Sequence, residues 1–418
     1  MYIDVPWDTA SVPVRIDESR LGDVVESRTL KVRDEAVLIN CLLDDDEGRQ
    51  SFEEFLAAAQ GTILVLVNDA TRPTPSGRVI EIIADRFRGR DVEFMVATGA
   101  HKVPGETELE QIFGRAMRER FLDRISSHDA RNQGDLVHLG ETSRGTPVWV
   151  NKHLASATDV LLINSVEPHY FAGYTGGRKS IFPGVAGFET IQGNHKLALD
   201  PAADNLALEG NPVHEDMMEM MGMLSEKRMY SIQMVLDHQH RIHQAYAGDL
   251  DESWRSAVEH ADGHYVVELS QRYDVVVAVA PYPMDYDLYQ SQKALENGSL
   301  ALKDGGILIL VSKCRHGIGD ETFFDLMARA ATPDAVLGSI AGDYVLGYHK
   351  AARLALIAKR GEMWGVTSLP DEELEAAFIR PFGSVQKAVD SALARKGPDA
   401  RVLFLMDASI TVPRVNGA

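Results

Sequence analysis

The chain has 418 residues, of which 42 are Lys or Arg and 62 are Asp or Glu, so its formal net charge is −20. This negative charge argues against nucleic acid and anionic membranes as partners, although it does not exclude a small anionic substrate. No apolar run reaches the roughly 18 residues that a membrane span needs.

The first residues and the cysteines indicate a cytoplasmic protein. The start, Met-Tyr-Ile-Asp-Val-Pro-Trp-Asp, lacks the basic and apolar regions of a signal peptide. Cys41 and Cys314 are the only cysteines, and two so widely separated cysteines make neither a disulfide framework nor a metal site. We therefore expect a reducing, cytoplasmic environment.

Short continuous apolar runs are typical of strands that are buried on both faces of a parallel sheet. They occur at 61–67, 92–97, 159–163, 274–280, 306–311 and 401–406. Amphipathic segments lie between them, for example 77–87 and 287–302. The alternation predicts an α/β fold with two domains, each a mostly parallel sheet flanked by helices.

The length suits two domains, and a boundary is expected near 268–274, just before a new apolar run. The predicted N-terminal, cofactor-binding domain is 1–271, and the predicted C-terminal α/β domain is 272–404. The tail 405–418 is a candidate to return to the first domain.

Polar segments follow three of the apolar runs directly. They are 68–75, with Asp69 and Arg72, 98–102, with His101, and 164–169, with His169. The carboxyl ends of parallel strands are where α/β folds place their ligand sites. We therefore expect these three loops to converge.

The segment 169–187 places Lys179 in a glycine-rich loop between two histidines. Its five glycines let the backbone approach a ligand closely, at an entropy cost that a purely structural loop usually avoids. The stretch 173–180 nearly matches a phosphate-binding P-loop, but Arg178 stands where the second glycine belongs. Backbone N–H groups and Arg178 could still receive a phosphate. The segment therefore indicates a cofactor seat.

The residues themselves leave several chemistries open. His101, His169 and His195 could hold zinc with water as fourth ligand, although no pair has the close i, i+4 spacing of a helical zinc motif. Each His could instead be a hydrogen-bonded core or helix-end residue. Lys179 could form a Schiff base with pyridoxal phosphate or a carbonyl substrate, or simply balance a phosphate charge.

Six segments, in chain order, resemble motifs of the nickel-pincer lactate racemase family. They are 68–75, 98–102, 169–187, 192–195, 210–217 and 289–296. A set of this length and order is far more specific than any single motif. The resemblance implies a nickel-pincer nucleotide, pyridinium-3,5-bisthiocarboxylic acid mononucleotide nickel, in which a carbon and two sulfurs hold the metal.

The resemblance also implies a role for each matching residue. The cofactor set is Lys179 as covalent tether, His195 as nickel ligand, and Asp69, Thr175, Gly176, Gly177 and Arg178 around the nucleotide. The acid–base pair is His101 and His169, and the substrate-binding set is Arg72, Gln290 and Lys293. Nickel(II) accepts planar coordination by sulfur and imidazole, and histidine titrates near neutrality, as proton transfer requires.

The implied reaction inverts C2 of a small, lactate-like 2-hydroxy acid, as in a racemase or epimerase. Hydride moves reversibly to the cofactor while the two His act on the hydroxyl proton. Gln290 and Lys293 lie in the second predicted domain, so the substrate is expected in the interdomain cleft. Cofactor-synthesis enzymes are the expected partners for loading.

Two departures from the family pattern bear on the substrate. Lys102-Val103 stand where family members often carry Arg-Pro, and Arg178 stands where a small residue often precedes the tether. Extra cations could suit a second carboxylate or a phosphate. A zinc-dependent hydrolase and a non-catalytic carrier of a nucleotide or organic acid are the alternative interpretations. The substrate, the oligomeric state, the extent of cofactor loading and the role of Trp364 stay open.

Overall fold

The computed structural model describes residues 1–26, 33–44, 51–342 and 344–416. Contacts between Cα atoms divide the chain into two compact units. The middle unit is Thr29–His264, and the terminal unit combines Met1–Arg28 with Tyr265–Ala418. The units differ from the predicted domains mainly because residues from both ends of the chain belong to the terminal unit.

The strands, in chain order, are β1 (Tyr2–Trp7), β2 (Ala10–Arg15), β3 (Leu21–Val25), β4 (Ile63–Asn68), β5 (Val92–Ala97), β6 (Ile125–Ser127), β7 (Leu136–Glu141), β8 (Pro147–Asn151), β9 (Asp159–Ser165), β10 (Pro168–His169), β11 (Gly173–Tyr174), β12 (Arg228–Leu236), β13 (Ile242–Asp249), β14 (Val266–Leu269), β15 (Tyr273–Val279), β16 (Leu302–Val311), β17 (Glu362–Val366), β18 (Ile379–Pro381), β19 (Val402–Leu405) and β20 (Val412–Val415). The helices are α1 (Glu35–Leu43), α2 (Phe52–Ala58), α3 (Ser76–Ile83), α4 (Glu106–Phe113), α5 (Arg115–Arg120), α6 (Lys152–Ser156), α7 (Phe188–Lys196), α8 (Pro212–Gly222), α9 (Leu250–Tyr265), α10 (Leu288–Leu300), α11 (Glu321–Arg329), α12 (Pro333–Gly342), α13 (Tyr348–Arg360), α14 (Asp371–Ala376) and α15 (Val385–Lys396).

The middle unit is built on a six-stranded sheet in the order β13-β12-β9-β4-β5-β6. All neighbours are parallel except the edge strand β13, which is antiparallel to β12. The central strands β4 and β9 are almost entirely buried because their continuous apolar sequences have no polar face to present to water. Helices α1 to α4 pack on these strands in one hydrophobic core cluster.

The terminal unit contains an all-parallel six-stranded sheet in the order β18-β17-β16-β15-β19-β3. The strand β3 joins this unit because it pairs with β19. The tail also ends here, since β20 pairs in parallel with β14. Each of the six predicted apolar runs forms a strand, namely β4, β5, β9, β15, β16 and β19, and the predicted α/β architecture is confirmed.

Trp364 lies in the core of the terminal unit. It is 1% exposed on β17, and its ring stacks on Phe382 with the centroids 4.6 Å apart. Its indole Nε1–H donates to a carboxylate oxygen of Glu362 at 3.3 Å. Core packing and this hydrogen bond are sufficient to explain a tryptophan at position 364.

Of the helices in the described ranges, none combines the length and the apolar character that crossing a membrane demands.

Candidate active site

The loops that were expected to carry the site begin at one edge of the middle sheet. Asn68 is opposite Ala97 in the parallel register of β4 and β5, and β9 runs in parallel on the other side of β4. The loops after these three strands therefore start side by side. The amide of Gly99 also donates to the carbonyl of Gly184 at 2.9 Å, which links the His101 loop to the glycine-rich segment.

The ring of Phe171 lies next to three of the predicted site residues. Its centroid is 4.5 Å from that of His169 and 5.2 Å from that of His195, and Nζ of Lys179 lies 5.4 Å from it. Phe171 is only 2% exposed, so it is a fixed wall rather than a mobile surface ring. The structure thus brings both imidazoles and the Lys179 amine around one buried aromatic side chain. The sequence analysis did not single out Phe171, although it lies inside the quoted segment.

His101 and Asp69 form an imidazole–carboxylate pair. Nδ1 of His101 is 2.6 Å from one carboxylate oxygen of Asp69, and Thr71 donates to the other oxygen from its hydroxyl at 2.7 Å. Burial raises the pKa of Asp69, but hydrogen bonds from His101 and Thr71 and the charge of Arg72 outweigh it, so the pKa is lowered overall. The ionised carboxylate therefore fixes the tautomer of His101 and leaves Nε2 as its outward nitrogen.

His195 is held as a neutral imidazole near the end of α7. Burial lowers its pKa to about 3, and the charge of Lys179 acts in the same direction, followed by those of His101 and Arg72. A hydrogen bond with the Ile191 backbone opposes the shift. Neutral imidazole is the form that binds a transition metal, and a backbone bond to one nitrogen orients the ring. The same electrostatic influences show that Lys179, His101 and Arg72 lie near His195.

A buried polar network fixes the helix that carries His195. The amide of Asn194 donates to Asp216 at 2.9 Å and to the carbonyl of Val213 at 3.1 Å, both on α8. Asp216 also accepts from the hydroxyls of Thr142 and Thr146 at 2.6 and 3.0 Å. Because these partners come from α8 and from the turn between β7 and β8, the rotation of α7 is determined by the surrounding fold. Apart from the 210–217 motif, no sequence pattern predicted this network.

Lys179 lies on a short 3-10 turn, Gly177–Ser180, against the end of the sheet. The amide of Gly177 donates to the side chain of Gln233 at 3.1 Å, and the amide of Asn164 donates to the hydroxyl of Ser180. A Cβ on Gly176, whose φ is +72°, would lie 2.7 Å from Val166 and 2.8 Å from Gln233. Only glycine therefore allows the turn to lie this close to the sheet.

Arg178 and Thr175 make contacts with protein backbone. The guanidinium of Arg178 is 2% exposed and donates to the carbonyls of Ala172 at 2.8 Å and Tyr174 at 3.3 Å. Burial lowers its pKa to about 9. The hydroxyl of Thr175 donates to the carbonyl of Ser165 at 3.1 Å. Their implied role around a cofactor phosphate stays a prediction.

Trp254 of α9 packs beneath this segment and was not singled out by the sequence analysis. Its indole Nε1–H donates to the carbonyl of Thr175 at 2.9 Å, and the Arg178 guanidinium lies 4.2 Å from the ring centroid. His214 of α8 stacks on the same Trp, with the centroids 5.7 Å apart. Burial, followed by the charges of Arg178 and Arg255, lowers the pKa of His214 to about 3.

The depressed pKa of His214 predicts a loss of stability in mild acid. Between about pH 6.5 and 3 the unfolded chain binds a proton on His214 that the folded protein excludes, so the free energy of unfolding falls as the pH drops through this range. Denaturant titrations at pH 7, 5 and 4 should show a smaller fall for His214→Gln than for the wild type. An equal fall in both proteins would contradict this assignment. The fall that remains in His214→Gln should come from other groups whose pKa is lowered in the folded protein, among them His195, His128 and His260.

Gln290 and Lys293 lie on the first turns of α10 in the terminal unit, three positions apart on one helix face. Asp287 caps the N-terminus of the helix, and its carboxylate accepts from the backbone amide of Gln290 at 2.6 Å. Burial raises the pKa of Asp287, against the opposing charges of Lys350, His316 and Lys293. Both side chains are half-buried, and their implied part in substrate binding stays a prediction.

A preformed zinc site is not found in the described part of the chain. No three or more His, Cys, Asp and Glu side chains there come together in a way that could hold a metal ion. His101, His169 and His195 therefore do not make the three-His zinc centre of the alternative interpretation.

Together these features describe a two-unit α/β protein in which two buried or half-buried histidines and a lysine on a glycine-rich turn surround Phe171. Residues 7–205 match the family model described as the lactate racemase N-terminal domain, and residues 269–412 match the lactate racemase C-terminal domain. The chain therefore belongs to the lactate racemase family and is an isomerase of the racemase type.

Relatives and solved structures agree with the family models. The lactate racemase of Thermoanaerobacterium thermosaccharolyticum is 29% identical over 348 residues, 81% of this chain and 80% of that protein. The lactate racemase of Lactiplantibacillus plantarum is 27% identical over 97% of this chain and 98% of its own. The structure of the lactate racemase apoprotein from T. thermosaccharolyticum matches with a TM-score of 0.91 and 25% identity over 99% of this chain and all of that one. A protein from Thermotoga maritima, with a TM-score of 0.68 and 16% identity over 87% of this chain and 96% of its own, shares the fold.

Proposed function

We propose that the protein interconverts the enantiomers of a small 2-hydroxy acid by reversible hydride transfer at C2, using a nickel-pincer nucleotide. The observation that carries the proposal is the placement of His169, Lys179 and His195 around Phe171, in electrostatic reach of His101 and Arg72. The relatives named above are lactate racemases, so lactate and similar acids are the first substrates to test.

The residues present fit such a cofactor. His195 offers a neutral nitrogen, and Lys179 offers an amine for a covalent tether on a turn of fixed shape. The described residues supply no further cluster of metal ligands, so sulfur and carbon donors must come with the cofactor. Held by Lys179 and His195, the group would supply a reversible acceptor for the hydride of the substrate carbon.

His101 and His169 move the hydroxyl proton in this proposal. One imidazole takes the proton from the hydroxyl of one enantiomer, and the other gives a proton to the oxygen of the opposite enantiomer. The two groups are not equivalent. Asp69 backs His101, whereas the rings of Tyr170 and Phe171 pack against His169 at centroid distances of 5.0 and 4.5 Å. Asp69 thus acts as the positioning residue of one base.

Arg72 is the proposed carboxylate-binding side chain of the middle unit. Its guanidinium offers a planar fork that matches a carboxylate, and it follows directly after the Asp69 turn, where its backbone amide donates to the Asp69 carbonyl at 3.1 Å. Gln290 and Lys293 of α10 are also proposed to bind substrate. Lys102 and Val103, which depart from the family pattern, are both exposed.

Replacing Asp69 with Asn tests the positioning of His101. Asn keeps the size of the side chain but loses the negative charge that orients and stabilises the imidazole, so kcat should fall by about 10²–10⁴-fold. KM for the acid should change far less, because the carboxylate-binding side chains are intact. Chiral chromatography of timed reactions gives both constants. An unchanged kcat would remove Asp69 from the proton-transfer machinery.

The decisive experiment is intact-protein mass spectrometry with nickel analysis, on protein made together with cofactor-synthesis enzymes. We expect a mass increment of several hundred daltons that peptide mapping assigns to Lys179, together with about one nickel per chain. The loaded protein should then interconvert the enantiomers of at least one member of a panel of 2-hydroxy acids. An unmodified protein that binds zinc tightly and hydrolyses substrates, or a loaded protein that racemises none of the panel, would overturn the proposal.

A further inference from the structure

The glycine-rich loop packs on the indole of Trp254, a side chain that is distant in sequence. Trp254 is 1% exposed, and a Cβ placed on Gly177 would lie 2.6 Å from its ring atom Cγ. Its Nε1–H donates to the carbonyl of Thr175 at 2.9 Å. The ring of Trp254 therefore packs against the backbone at Gly177, two residues before Lys179. Its only hydrogen-bond donor binds the loop at Thr175.

Arg178 strengthens this contact from the loop side. Its guanidinium lies 4.2 Å from the Trp254 ring centroid and donates to the carbonyls of Ala172 and Tyr174. Asp251 favours its charge electrostatically, Arg255 opposes it, and burial dominates both. Burying a cation in this way is costly, and it is tolerated where hydrogen bonds and a ring face hold the group. The Arg178 side chain thus links its own position to the backbone at Ala172 and Tyr174.

The position of Lys179 depends on these contacts of Trp254 and Arg178. Its amide donates to the carbonyl of Gly176 at 3.0 Å, and its carbonyl accepts from the amide of Gly184 at 3.1 Å. A shift of the segment that Trp254 and Arg178 hold would therefore move the Lys179 backbone directly. A small residue at position 178 could not reach both the indole face and the two carbonyls.

We infer that Trp254 and Arg178 form a latch that fixes the loop 172–180 and thereby positions Lys179 for the cofactor. The inference rests on the proposed role of Lys179 as the tether. It assigns Arg178 a positioning role in place of direct contact with a second carboxylate or a phosphate of the substrate. It also assigns Trp254, which lies on a different segment from every residue implied by the family resemblance, to the machinery that holds the cofactor.

The test compares Trp254→Phe and Trp254→Leu with a matched control, Trp364→Phe. Trp364 is equally buried, stacks on Phe382, and has the Arg380 guanidinium 5.4 Å from its ring, but it belongs to the core of the terminal unit. Phe at position 254 keeps a ring face and loses the donor, whereas Leu loses both. Hydrogen–deuterium exchange of the cofactor-free protein reports the amides of the loop, including Gly177 and Lys179.

We expect exchange in the loop to rise by roughly tenfold in Trp254→Phe, the scale of one lost hydrogen bond, and further in Trp254→Leu. The control should leave the loop unchanged even if it lowers the overall melting temperature. The acetylation rate of Lys179 relative to Lys152, read by peptide mapping, should change only in the Trp254 variants. In co-production, the fraction of chains with the cofactor mass should fall in the same order.

Unchanged loop exchange in Trp254→Leu would overturn the latch. A loosened loop with wild-type cofactor attachment would overturn its role in positioning Lys179. If the wild type itself acquires no cofactor mass, the proposed function fails, whereas the exchange and acetylation data on cofactor-free protein still decide whether the latch exists.

Discussion

Replacing His101 with Ala is expected to lower the rate of racemisation by about 10²–10⁴-fold, the usual contribution of a general acid or base. The loss should appear in both directions, because each direction uses one imidazole as the base and the other as the acid. For a substrate with one stereocentre the two enantiomers have equal free energy, so kcat/KM must stay equal in both directions in every variant. The difference between the two bases can therefore show only in kcat and KM separately.

Measuring only the first half of the reaction, the conversion of the hydroxy acid to the 2-oxo acid, distinguishes loss of a proton-transfer group from damage to the whole site. The loaded His101→Ala protein still carries His169, so acid quenching should trap enzyme-bound 2-oxo acid from one enantiomer and not from the other. His138→Ala is a suitable control, because His138 is an exposed residue of the same unit whose ring lies tilted against that of Trp149. Wild-type activity in His101→Ala, or 2-oxo acid from both enantiomers, would argue against the assigned role.

Replacing Lys179 with Ala is expected to eliminate the covalent cofactor and reduce racemisation to background after desalting. The turn itself should persist, because the interactions described for it involve the backbone and its neighbours rather than the Lys179 amine. The free energy of unfolding should change by about 1 kcal/mol, the scale of the contact between the amine and the Phe171 ring. Intact mass, nickel content and a denaturant titration measure the three quantities on one preparation.

Lys152→Ala provides the matched comparison for that variant. Lys152 belongs to the same unit and pairs with Asp135 at the surface. The Lys152→Ala variant should retain the full cofactor mass and wild-type activity. A full-mass adduct in Lys179→Ala would place the tether elsewhere.

Six of the twelve strands in the two six-stranded sheets could be predicted, because a parallel strand buried on both faces needs an unbroken apolar run. β5 matches the predicted 92–97 at both ends, and β4 and β9 differ by a residue or two. The positions of the segments that carry Asp69, His101 and His169 could also be predicted, since each segment directly follows a predicted strand. The N-terminal residues show the alternation of a hairpin at Ile3, Val5 and Val14, all buried. No local feature of the sequence indicates which part of the fold such a segment packs against.

The parts of the site that could not be predicted depend on pairings between distant segments. Trp254 lies on an amphipathic helix like many others, and its partner Thr175 is 79 positions away. Asp69 could equally have capped a turn, and only the folded loops show that it faces His101. Arg178 had the residue type of an anion binder, whereas folding directs its donors to backbone carbonyls. The assigned roles of the site residues stay predictions until the variants are measured.

The position of β3 has a consequence for synthesis on the ribosome. Its partner β19 begins about 380 residues later, so at about 5–20 residues per second the nascent strand waits on the order of half a minute for the neighbour that completes its sheet. The middle unit emerges as one continuous stretch and can fold while the terminal sheet is still incomplete. An exposed strand edge of this kind is a target for chaperones and for aggregation. Slow or stalled translation should therefore reduce the yield of folded protein more than the stability of the finished chain would suggest.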